Sequence, residues 1–263
     1  GAVAPGDTSS LADIRWNELF TDPNLLKLVG EGIERNPDLA IAERKVREAE
    51  AYFEQSSAAL FPSLSAAGRG TYGRNSESIY PKGPRESKTW QLGFESGWEA
   101  DIWGRLRSAK RAQYANLLGS EAGRKAVQTR LVADIATAYY RLLSLDARLA
   151  ITEETVRKYI DLVETMKTMK ESAKVTGAAV VQSEATRYSA EITIPDLRQS
   201  IRETEHVICL LTGRPGGTVI ERGKLADQPP APFMKVGVPA RLLDNRPDVM
   251  RAKYQVMQAY EIT

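Results

Sequence analysis

Two hydrophobic periods lie close together in this chain. From Lys88 to Ile102 the residues alternate. Trp90, Leu92, Phe94, Trp98, Ala100 and Ile102 share one parity, and Gln91, Glu95, Glu99 and Asp101 the other. Period 2 predicts a β-strand with one apolar and one polar face. Farther on, Leu131, Ile135, Ala138, Leu142, Leu145, Leu149, Thr152, Val156, Tyr159, Val163 and Met166 follow one another in steps of four and three. That heptad seam predicts a long helix packed as a coiled coil. Few architectures need both patterns in one chain; a channel that is part β-barrel and part helical tube is one.

The flanking pattern fills in the other elements. Thr21 or Asp22 can cap a helix running to about Arg35, with Pro23 in its first turn. Asn36-Pro37 opens a second helix to about Leu60, on the seam Leu39, Ala42, Val46, Ala49, Phe53, Ser56, Leu60. Phe61-Pro62 stops it. Residues 63–74 read as a strand, with Leu64, Ala66, Gly68, Gly70 and Tyr72 on one face and Ser65, Arg69 and Thr71 on the other. The polar residues 75–87 form a loop, so the two strands make a hairpin. A lone hairpin is marginal in water, so further strands are expected beside it.

Trp103 to about Val175 contains no proline and predicts one helix of roughly 110 Å. Thr176-Gly177 is the predicted turn, with Gly177 in the left-handed cap conformation. A helix then returns from Ala178 to Leu211, with Ile194, Leu197, Ile201, Thr204, Ile208 and Leu211 in heptad register. Pro195 is expected to kink or open it. Gly213-Arg214-Pro215-Gly216-Gly217 lacks the Gly-Lys-Ser/Thr ending of a phosphate loop and reads as a helix stop.

The chain then repeats itself. Asn36-Pro37-Asp38-Leu39 aligns with Asn36's counterpart Arg246 and the run Pro247-Asp248-Val249, in apolar phase through Ala49 and Ala259. This predicts an extended segment over 1–21, helices over 22–60, a hairpin over 61–102, a long helix, turn and returning helix over 103–212, a connector over 213–236, and the start of a second repeat over 237–263. Thr263 falls in mid-pattern, so the chain reads as a fragment of a larger fold. Gly1 to Gly6 reads as a processed end, with an upstream signal removed.

Composition removes several function classes. Lysine and arginine number 36 against 34 acidic residues, a net charge of +2, which gives no electrostatic case for nucleic acid. One cysteine, Cys209, and one histidine, His206, exclude an internal disulfide and a Cys/His zinc site. Cys209 sits in an apolar run and reads as a buried thiol. His206 lies in mid-helix without a serine partner, so no nucleophilic triad is expected. Glu153-Glu154 fits a solvated helix face. The reading is therefore no enzyme, no cofactor and no metal. No run of ~20 apolar residues exists for a transmembrane helix, so a membrane role would go through strands.

Several segments, in order, resemble the outer-membrane efflux factor family, the TolC-like exit ducts of tripartite pumps. They are Arg15-Trp16 with Leu19-Phe20 and Asp22-Pro23, Asn36-Pro37-Asp38-Leu39, Leu60-Phe61-Pro62-Ser63-Leu64, Leu210 to Pro215, and Asn245 to Val249. The best match is Trp98 to Leu106, similar to the family's W-E-x-D-L/I-W/F-G-R/K segment, where a strand passes into the long helix.

The resemblance implies a mainly α fold with a β-hairpin: very long antiparallel coiled-coil helices of an α-barrel, plus strands of a transmembrane β-barrel, in a trimeric duct that is truncated here. It implies a homotrimer at full length in the outer membrane of a Gram-negative bacterium, with a periplasmic extension. A periplasmic adaptor, and through it an inner-membrane transporter, are the implied partners. The cargo would be drugs, other small molecules or metal ions.

On that scheme Trp90, Leu92 and Phe94 face lipid, while Arg69, Gln91 and Glu95 face the lumen. Val175, Thr176, Gly177, Ala178, Ala179, Val180 and Val181 form the adaptor-contacting tip. Small residues beside the seam (Ala133, Ala136, Ala147) would admit helices on a second face. Two departures stand out. The tip lacks the aspartate that many relatives carry after the glycine, and the N-terminal lipidated cysteine of many relatives is absent from these residues. Two of the four strands expected per protomer are present, so residues 1–263 are not expected to close a barrel alone. The competing reading is a soluble, elongated coiled-coil scaffold.

Overall fold

The computed structural model describes residues 20–74, 86–228 and 246–262. The expectations for Arg15, Trp16 and Leu19, for residues 75–85 of the predicted 75–87 loop, and for residues 229–245, which hold the end of the 213–236 connector and the start of the second repeat, lie outside the described residues. The elements are α1 (Pro23–Arg35), α2 (Pro37–Ala58), β1 (Ser63–Arg74), β2 (Glu86–Gly97), α3 (Arg105–Glu171), α4 (Gly177–Glu191), α5 (Thr193–Thr212), a 3-10 turn (Leu225–Asp227) and α6 (Pro247–Ile262). The chain divides into two compact units. One comprises residues 1–44 and 122–250, the other residues 45–121 and 251–263.

The helix starts follow side-chain chemistry. Asp22 caps α1 by accepting from the Asn24 amide at 2.8 Å, with Pro23 in the first turn. Asn36 caps α2, its Oδ1 accepting from the Asp38 and Leu39 amides at 3.0 and 3.1 Å. Its Nδ2 donates to the Leu211 carbonyl at 3.0 Å, which supplies a partner at the end of α5. Buried Asn36 thus serves two helix ends at once.

The first unit carries a core of Leu25, Leu28, Val29, Leu39, Leu131, Ile135, Leu142, Ile208 and their neighbours. The heptad positions of α3 are buried or half-buried throughout, and those of α5 likewise. A second buried line, Val132, Ala136, Tyr139 and Leu143, lies one residue beyond the seam. Of the small residues expected there, Ala136 is buried, Ala147 half-buried and Ala133 exposed.

α3 and the returning helices pair antiparallel in strict register. Lys167 bonds Glu184 at 2.7 Å, and Glu153 bonds Arg198 at 2.8 Å, two heptads farther along both helices. One heptad beyond, Asp146 and Glu205 both hold Arg222. The register survives a break at Ile192 between α4 and α5. Pro195, in the first turn of α5, causes that break, since it has no N–H for the Glu191 carbonyl and its ring crowds that oxygen. The predicted disruption is therefore correct, and it lies N-terminal to the proline itself.

α5 stops where expected. Gly213 adopts φ +67, and the Arg214 amide bonds the Cys209 carbonyl at 2.9 Å. A Cβ on Gly213 would lie 3.0 Å from the Arg35 carbonyl oxygen. Cys209 is buried, as its apolar run implied.

In the second unit, the Phe53 and Tyr114 rings meet at 5.4 Å between centroids. Glu261 of α6 accepts from Arg111 at 2.8 Å and Ser108 at 3.3 Å. The alternating run behaves as a strand only as far as Gly97. Residues 98–104 leave the sheet, although Trp98, Ala100 and Ile102 keep its parity.

Candidate functional site

β1 and β2 pair antiparallel over their full lengths, with Ser63 opposite Gly97 and Arg74 opposite Glu86. This register brings the two apolar parities onto one face. Leu64, Ala66, Gly68, Gly70 and Tyr72 lie opposite Ser96, Phe94, Leu92, Trp90 and Lys88. Large residues on β2 therefore meet small ones on β1. The Trp90 ring covers Gly70 so closely that a Cβ there would fall 2.7 Å from Cζ3. Lys88 Nζ stands 5.9 Å from the Tyr72 ring centroid at the far end of the face.

Among the described residues, nothing covers this face. Trp90 is 84% exposed, Leu92 78%, Phe94 75% and Leu64 77%. A greasy surface of this extent needs an apolar partner phase or a protein partner. The opposite face places Arg69 directly across from Gln91, and Ser65 across from Glu95. Within 63–74 and 86–97 the residues thus fall on two faces by parity, while Trp98, Ala100 and Ile102 lie beyond the sheet.

The hairpin joins its helices through a polar clasp. Trp98 Nε1 donates to the Leu60 carbonyl at 3.2 Å. Arg105 grips Glu99 through Nη2, which donates to the two carboxylate oxygens at 2.8 and 2.9 Å, and through Nε at 3.3 Å. Asp101 accepts from the Leu106 and Arg107 amides, each at 3.0 Å, and from Arg107 Nε at 3.2 Å. Burial acts to raise the Asp101 pKa, but these donors outweigh it and hold the carboxyl below its ordinary value. Around the clasp, Phe61, Trp98, Ile102 and Trp103 are all exposed. Sequence reasoning placed Trp98 and Ile102 on the strand and gave Phe61 and Trp103 no surface role.

At the far end of α3 the turn differs from expectation. α3 ends at Glu171, and the left-handed residue is Ala173 at φ 53, not Gly177. The Lys174 amide bonds the Met169 carbonyl and the Ala173 amide bonds that of Lys170, both at 2.9 Å. That double bond pattern closes α3, with alanine in the place usually held by glycine. Gly177 instead begins α4 behind the capping Thr176. Among the predicted tip residues, Val180 is buried and Val175, Gly177 and Ala179 are half-buried, while Thr176, Ala178 and Val181 are exposed.

Among the described residues, no helix is long and apolar enough to cross a membrane, and no group of three His, Cys, Asp or Glu residues could hold a metal ion.

Comparison with known proteins gives consistent matches. The family model for outer membrane efflux proteins matches residues 28–214. The solvent efflux pump outer membrane protein SrpC of Pseudomonas putida is 28% identical over 257 residues, covering 97% of this chain and 55% of its own length. The probable outer membrane lipoprotein SilC of Salmonella typhimurium is 29% identical over 259 residues, covering 95% of this chain and 54% of its own. Crystal structures of CusC, which concern its folding and transmembrane channel formation, superpose with a TM-score of 0.79 at 25% identity. They cover 95% of this chain and 57% of theirs. The chain spans about half the length of the curated relatives it matches.

Proposed function

The chain belongs to the outer membrane efflux protein family, and from that premise we propose that it forms part of a passive exit duct, with its hairpin in the outer membrane and its coiled coil in the periplasm. The observation that carries this reading is the uncovered, two-faced hairpin. Trp90, Leu92 and Phe94 face lipid, and Arg69, Gln91 and Glu95 face a watery lumen. In lipid every strand edge needs a partner, so β1 and β2 pair with strands of other hairpins in a closed barrel. Those come from copies of this protein in a trimer, and from the part of its relatives that this chain does not span.

The exposed Phe61, Trp98 and Trp103 fit the aromatic girdle found where such a barrel leaves the bilayer. At the other end of α3, the turn from Val175 to Val181 meets a periplasmic adaptor, with Thr176, Ala178 and Val181 offering the accessible surface. The adaptor links the duct to an inner-membrane transporter that powers export of small molecules or metal ions. The duct itself performs no chemistry, and its selectivity comes from pore width and lining charge.

The test is electrical. The native protein carrying this chain, added to a planar bilayer, should open discrete conductance steps. Glu95→Lys should shift its ion preference toward anions. Wild-type protein that binds the bilayer without conducting contradicts the reading.

A further inference from the structure

The segment from Trp98 to Leu106 lies between the hairpin and α3, and a duct that only lines a pore leaves its polar residues without a role. Gly104 explains why they are needed. It precedes the first residue of α3, its carbonyl accepts from the Ser108 amide at 2.8 Å, and its φ is +77. A glycine there has no side-chain oxygen to offer the first amides of the helix. Asp101 supplies that oxygen from three residues upstream. One carboxylate oxygen takes the Leu106 amide and the other takes the Arg107 amide. Arg107 returns a bond from Nη2 to the Asp101 carbonyl at 3.1 Å, closing the loop on itself. Trp98 Nε1 ties the end of β2 to the Leu60 carbonyl, just past the end of α2.

We propose that Asp101 is a positioning residue, which by capping α3 from within the loop fixes the direction in which the β1–β2 hairpin leaves the helix. The inference rests on the duct reading. Hairpins from several copies close a barrel only if each leaves its helix at the same angle, because edge pairing tolerates no slip in register. Asp101 acts through the Leu106 and Arg107 amides and touches no cargo.

The test uses the native protein carrying this chain, with spin labels at Thr89→Cys and Ala109→Cys and labelled protomers diluted among unlabelled ones. Pulsed distance measurement should give a narrow distribution for the parent. Asp101→Ala should at least double its width, and Asp101→Asn, which keeps one acceptor, should give an intermediate width. Helical content should match the parent in each. If Asp101→Ala does not accumulate, Asp101→Asn carries the same test. Parental widths in the variants that accumulate overturn the proposal. A label at Leu92→Cys separates the two readings: relaxation by a water-soluble nickel complex rather than by oxygen overturns the duct reading, and with it the reason for a fixed angle.

Discussion

The Tyr139 hydroxyl donates to the Asp22 carboxylate at 2.7 Å, joining the middle of α3 to the cap of α1. The same carboxylate accepts from Gln228 Nε2 at 2.7 Å and, through its other oxygen, from the Asn24 amide at 2.8 Å. Burial alone would raise the Asp22 pKa, but these donors outweigh it and hold it below the ordinary value. Burial first, and then the Asp22 bond, push the Tyr139 hydroxyl up to about 12.

Tyr139→Phe should cost about 1.5–3 kcal/mol, the range for a hydrogen bond to a charged group, because Tyr139 is fully buried. Denaturant unfolding followed by helical signal measures it. The sign of the pH dependence is fixed by linkage. The depressed Asp22 contributes stability above its ordinary 3.8, lost as pH falls through the lower folded value. The raised Tyr139 contributes below 10.0, and this is lost as pH rises toward about 12. The variant should show a weaker alkaline fall, since Tyr140 is raised by burial as well, and a weaker acid one.

Arg214 forks onto Glu31 at 2.6 and 2.9 Å, with both side chains largely buried. Arg214→Lys keeps the charge and loses the fork, and should destabilise by about 1–2 kcal/mol. The Arg214 bond chiefly holds the Glu31 carboxyl below its ordinary value. The pair's contribution is therefore present above 4.5 and lost as pH falls through the lower folded value. A urea titration of parent and variant at neutral and acid pH should show their difference shrinking on the acid side.

Gly70 and Gly68 make a matched pair on one strand. A methyl group on Gly70 would drive into the Trp90 ring at 2.7 Å, whereas on Gly68 it would rest 3.9 Å from Leu92. Gly70→Ala should displace the exposed indole, and Gly68→Ala should leave Leu92 in place. Trp90 emission should shift in the first variant alone, and the thermal midpoint of the assembled protein should fall with it.

Ala173→Gly should relieve the left-handed strain that closes α3 and stabilise the turn by about 0.5–1 kcal/mol. Thermal unfolding of parent and variant measures it.

Much of this was legible in the sequence because local signals agreed. Asp22-Pro23 and Asn36-Pro37 announce their helix starts, and strand parity fixes both hairpin faces. Gly213 announces the end of α5. The joint misled because Trp98, Ala100 and Ile102 continue the strand's parity, while Asp101 and Gly104 belong to the helix cap. The turn misled because glycine is the usual left-handed residue, and here Ala173 takes that place. Pairs distant in sequence, such as Tyr139 with Asp22 and Arg222 with Asp146, leave no local pattern at all. Only the folded register brings them together.

A duct of this kind requires the Trp90 face to lie in lipid. The direct measurement is fluorescence of the native protein, with every tryptophan except Trp90 replaced by phenylalanine, in vesicles of phosphatidylethanolamine and phosphatidylglycerol. Bromine atoms placed deep in the acyl chains should quench Trp90 strongly, and aqueous iodide should barely affect it. Strong quenching by iodide and none by the brominated chains would contradict the account.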